Sequence, residues 1–101
     1  MQTDYQFMVD FKLPEEISQD FLDLLPEQRV VVDQYLEAGK LVNYALSIER
    51  AKLWAIFQAH SENEVVDMLL DFPLTPFLEM EISLLTYYNT REEPIPAFSP
   101  N

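Results

Sequence analysis

The chain contains no cysteine and a single glycine, Gly39, among its 101 residues. The first absence removes disulfides, thiol nucleophiles and cysteine metal sites, and leaves the redox compartment undetermined. The second removes any glycine-rich phosphate cradle. His60 is the single histidine. Without a second histidine or a cysteine it lacks the ligand set of a metal centre, so no metal site is expected. Basic residues number 6 against 18 acidic ones, a formal net charge of −12. Such a charge repels phosphate backbones and anionic bilayers, so neither nucleic acid nor membrane is an expected partner. No apolar run approaches the ~20 residues of a membrane span. Met1-Gln2-Thr3-Asp4 has neither the basic nor the apolar region of a signal peptide, and the expected location is cytoplasmic.

What the chain does have is an ample core supply, with 49% apolar and 13% aromatic residues. That suffices for one domain of this length. Tyr5 to Phe11 alternates and is aromatic and β-branched, a strand. From Glu15 to Ala38 apolar residues recur at spacings of three and four, a helical stripe broken by Pro26. Either the helix kinks there or Pro26 opens a second helix in its first turn. Gly39 fits the C-terminal cap. Leu41–Ile48 and Lys52–Ala59 read as a hairpin. Ser61-Glu62-Asn63-Glu64 is a capping box opening a helix through Val65, Leu69 and Phe72. Pro73 stops that helix, a proline-pinned loop follows, and Leu78–Tyr87 is the fourth strand. Residues 1–87 form the expected domain, and 88–101 a proline-rich C-terminal arm expected to reach a neighbouring subunit. The order β-α-β-β-α-β predicts an α+β, ferredoxin-like βαββαβ sandwich with a four-stranded antiparallel sheet.

Strand parity divides the sheet into two faces. Tyr5, Phe7, Val9 and Phe11, then Val42, Tyr44, Leu46 and Ile48, Leu53, Ala55 and Phe57, and Leu78, Met80, Ile82 and Leu84 are nearly all apolar and should meet the helices. The other face carries Gln6, Met8, Asp10, Leu41, Asn43, Ala45, Ser47, Trp54, Ile56, Gln58, Glu79, Glu81 and Ser83. Large apolar groups there would be wet in a monomer, so the expectation is a homodimer whose sheets pack face to face around an interior cleft.

Three stretches carry a resemblance over nearly the whole chain. They are Lys12-Leu13-Pro14, the Leu36 to Gly39 run, and Phe72-Pro73-Leu74-Thr75-Pro76-Phe77-Leu78-Glu79-Met80-Glu81-Ile82. Together and in order they resemble the muconolactone isomerase-like family. The resemblance implies a dimeric α+β barrel, often assembled into larger rings, with a small carboxylated lactone as the substrate class of the enzymes and no metal or organic cofactor. Those enzymes carry His, Trp and Arg in the second strand, where this chain reads Lys40-Leu41-Val42-Asn43-Tyr44-Ala45-Leu46-Ser47. Gln28 lies close to where they carry acidic residues. Glu79 and Glu81 match the family's acidic alternation.

Asp10, Glu79 and Glu81 share the second face on neighbouring strands. Carboxylates crowded into a partly dry cleft raise one another's pKa, which suits proton transfer, so these three are the candidate catalytic residues. Trp54 could stack on a planar small organic ligand while Gln6, Asn43, Ser47, Gln58 and His60 bond its edge and Met8 packs against it. The leading expectation is a small-molecule-binding dimeric α+β barrel protein. A cofactor-independent lactone or enol isomerase using the cleft carboxylates is the first alternative, and a structural or accessory oligomer the second.

Overall fold

The computed structural model describes residues 4–89, so the expected arm falls outside the described residues apart from Tyr88 and Asn89. Four strands, β1 (Tyr5–Lys12), β2 (Leu41–Ser47), β3 (Lys52–Ala59) and β4 (Glu79–Leu84), form one antiparallel sheet in the order β2-β3-β1-β4. Three helices join them: α1 (Gln19–Asp23), α2 (Leu25–Glu37) and α3 (Glu62–Leu69). This is the expected βαββαβ fold. β4 ends three residues before Tyr87, and the proline-pinned loop contains a 3-10 turn, Thr75–Phe77.

Pro26 opens a second helix rather than kinking one. It sits in the first turn of α2, where its missing N–H would have had no helical partner. Upstream, the Ser18 hydroxyl accepts from the Phe21 N–H and starts α1. Gly39, at φ +76°, terminates α2 in the left-handed conformation that costs glycine least. At α3 the Ser61 hydroxyl accepts from the Glu64 N–H. The Glu64 carboxylate reaches back to the His60 N–H at 2.7 Å, one residue earlier than in the usual reciprocal box.

Phe7, Val9 and Phe11 of β1, with Leu53, Ala55 and Phe57 of β3, form one cluster with Val32 of α2 and Val65, Met68 and Leu69 of α3. α2 and α3 therefore cover the same sheet face. The parity assignment fails at Leu41. Leu41, expected on the opposite face, is 2% exposed and belongs to this core cluster. The cause is a bulge: Leu41 pairs with Phe57 but Asn43 pairs with Ile56, so an extra residue at Val42 reverses the alternation.

Candidate functional site

The sequence points to the second sheet face, and the structure brings its residues together in three groups. At one end Asp10 of β1 is paired directly with Glu81 of β4, and Lys12 with Glu79. The Lys52 ammonium lies 2.9 Å from the Asp10 carboxylate and 6.0 Å from the centre of the Trp54 ring. Asp10, Lys12, Lys52, Glu79 and Glu81 line a shallow cleft of about 270 Å³. The three candidate carboxylates thus share one site, but Glu79 and Glu81 are exposed in the single chain, so the cleft is wet.

At the other end the Gln6 amide reaches Gln58, Gln58 donates to Asp4, and Asp4 contacts His60 Nδ1 at 2.9 Å. Between the two ends, Met8 opposes Ile56 and Asn43 donates to the Tyr88 hydroxyl. Ser47 is elsewhere occupied: its hydroxyl accepts from the Arg50 N–H and stiffens the β2–β3 turn. Beyond β4 the chain turns back over this face. The Leu85 N–H bonds the Gln6 carbonyl on β1, and Tyr88 reaches Asn43 on β2, at the far edge of the sheet. Ile56 is only 4% exposed although it lies outside the helix-side cluster. The candidate ligand residues are therefore spread along the face; Gln6 and Gln58 bond each other, while Asn43, Ser47 and His60 are held by Tyr88, Arg50 and Asp4.

The larger concavity lies on the other side, between α1, α2 and the β2–β3 half of the sheet. It has a volume of about 620 Å³. That volume is within the usual range for ligand pockets, and most of the lining is apolar. Phe21, Val32, Leu53 and Leu74 form its buried floor; Ile17, Leu22, Leu25, Leu46 and Ile48 form an exposed rim. Ile48 is 78% exposed. The polar lining residues are Gln28, Arg29, Asp33 and Tyr44.

Gln28 organises the floor. At 6% exposure it is the sole buried polar residue among those described. Its amide donates to the Tyr44 hydroxyl at 3.1 Å, and its carbonyl accepts from the Leu74 N–H at 3.0 Å. One side chain thereby ties α2 to β2 and to the Pro73–Pro76 loop. Burial pushes the Tyr44 phenol up, against a smaller opposing effect of the Gln28 bond, so it remains a neutral donor. Its own proton has no acceptor among the described residues. Arg29 is likewise in no ion pair among them, whereas Lys40 and Lys52 each hold a carboxylate.

The sequence reading missed this groove. The helical stripe marks Phe21 and Leu25 as apolar but says nothing of whether α1 and α2 close fully on the sheet. A usable signal was present in the apolar pair Leu46 and Ile48, at the end of an edge strand and just past it.

An antiparallel sheet with all its helices on one face, and an apolar groove of ligand size between them, defines an α+β protein of the ferredoxin-like class. The model of the muconolactone delta-isomerase family matches residues 4–90, and the chain belongs to that family. The crystal structure of muconolactone isomerase at 3.3 Å resolution is similar to it, with a TM-score of 0.69 and 16% identity over 88% of this chain and 96% of that one. At such identity the likeness establishes the fold alone. No curated protein matches the chain. No helix among the described residues is long and apolar enough to cross a membrane.

Proposed function

We propose that the protein binds a small, mostly apolar molecule in the groove between α1, α2 and β2–β3. One observation carries the reading: a cavity of about 620 Å³ whose lining is apolar except for Gln28, Arg29, Asp33 and Tyr44. An apolar ligand entering it would remove Leu46, Ile48 and their neighbours from water, gaining roughly 25 cal/mol per Å² covered before binding costs. Gln28 holds the floor with both ends of an amide, a group that neither gives nor takes a proton readily at neutral pH. Binding is therefore better supported there than proton-transfer catalysis. The test is two-dimensional NMR with a panel of small apolar compounds. Shifts should centre on Phe21, Val32, Tyr44 and Leu46. A panel that shifts nothing, or shifts only Trp54 and its neighbours, refutes the groove.

A second reading rests on the cross-strand pairing of Asp10 with Glu81. If a second copy packs sheet to sheet over Met8, Ala45 and Trp54, that cleft becomes drier and its carboxylates suit lactone or enol isomerisation. Glu81→Gln should then abolish turnover of an unsaturated lactone without unfolding the chain. Unchanged turnover would remove this reading.

A further inference from the structure

The two groove donors point to a head group. We infer that the groove selects an amphipathic monocarboxylate, an aliphatic chain ending in an acid, with Arg29 as the residue that reads the carboxylate. The inference rests on the groove being the binding site, and concerns which ligand it accepts.

The argument is an inventory of hydrogen-bonding capacity. Gln28 is spent, its amide on Tyr44 and its carbonyl on the Leu74 N–H. Beside the Asp33 carboxylate, the lining offers the Tyr44 O–H and the Arg29 guanidinium, both donors. A ligand that meets these two donors must bring acceptors. A carboxylate is acceptor-only, and the planar guanidinium fork matches its geometry. Apart from Phe21 the remaining lining is aliphatic, with Leu22, Leu25, Leu46 and Ile48 at the rim, which suits a flexible chain better than a stacked ring. Asp33 supplies the opposing charge on the same wall. It would favour an ammonium head instead, so the sign of the head group is the quantity to measure.

Isothermal titration of the full chain with dodecanoate, dodecanol and dodecylammonium, below their micelle concentrations, makes the measurement. Dodecanoate should bind about five- to tenfold more tightly than dodecanol, the strength of one charge-assisted bond at a partly exposed site. Arg29→Gln should erase that preference and leave dodecanol unchanged. Lys40→Gln, which removes the same charge from another part of the surface, should preserve it. Equal affinities for dodecanoate and dodecanol, tighter binding of dodecylammonium, or an Arg29→Gln variant that keeps the preference would overturn the inference while leaving the groove as the site. Saturable binding that survives Leu46→Trp, a bulky change at an exposed edge position that the fold tolerates, would instead place the ligand elsewhere. Dodecanoate affinity that falls as protein concentration rises would put a second copy of the chain in the groove, and would also overturn it.

Discussion

Replacing Gln28 by leucine tests whether the groove floor is held by one amide. The two side chains are similar in size, so the change removes hydrogen bonds with little change in volume. Leucine leaves the Leu74 N–H, bonded to the Gln28 carbonyl at 3.0 Å, with no acceptor in a buried loop. An orphaned buried donor costs about 1–3 kcal/mol. The Tyr44 hydroxyl loses its 3.1 Å donor as well, but it is half-buried and groove water replaces part of that bond. Burying a leucine in place of an amide returns a fraction of the loss. The net expectation is a destabilisation of about 2 kcal/mol, or a drop of roughly 8–16 °C in melting temperature for a domain of this size. Urea unfolding followed by circular dichroism should show the loss in midpoint with an unchanged slope. Gln28→Glu gives the contrast. Its carboxyl can still accept from Leu74 N–H, but its charge is costly to bury, so this variant should be more stable in acid than at neutral pH. A Gln28→Leu protein within ~0.5 kcal/mol of the wild type, the range of a neutral surface change, would refute the idea that this residue organises the floor.

Other consequences are open to direct measurement. The Tyr35 phenol, desolvated by burial and hydrogen-bonded to Asp71, is pushed up to about 12. Its folded value exceeds the unfolded value near 10, so its contribution is complete below pH ~10 and is lost as pH rises towards 12. Alkaline unfolding should show this decline in the wild type, and Tyr35→Phe should flatten it. Ala51 is held at φ +54° in the β2–β3 turn, where glycine is less strained, so Ala51→Gly should raise stability by about 0.5–1 kcal/mol in thermal melts. Leu41→Ala should cost about 2–5 kcal/mol in urea unfolding, as core positions do, whereas a surface position would tolerate it. Trp54→Glu should leave the fold intact but halve the mass seen by light scattering, provided that a second copy covers Met8, Ala45 and Trp54.

Much of the fold is readable along the chain because its signals are local. Alternation in Tyr5–Phe11 and Lys52–Ala59 needs only the two-residue repeat of a strand, and Ser61 with Glu64 marks the start of α3 through its own backbone bonds. Pro26 left two outcomes open. The choice between them depended on whether α1 and α2 could both reach the sheet. The sequence also placed Asp10, Glu79 and Glu81 on one face, since parity and strand adjacency settle that much. It misplaced Leu41, because a bulge is one extra residue with no mark in side-chain chemistry; the pairing of Leu41 with Phe57 exists only across strands. Nor could it reveal the groove. Gln28 and Tyr44 are 16 positions apart, Gln28 and Leu74 are 46 apart, and each looks ordinary in isolation. Local periodicity and capping are fixed by neighbours in the chain. A cavity is fixed by how closely separate elements approach, and only their packing in three dimensions decides that distance.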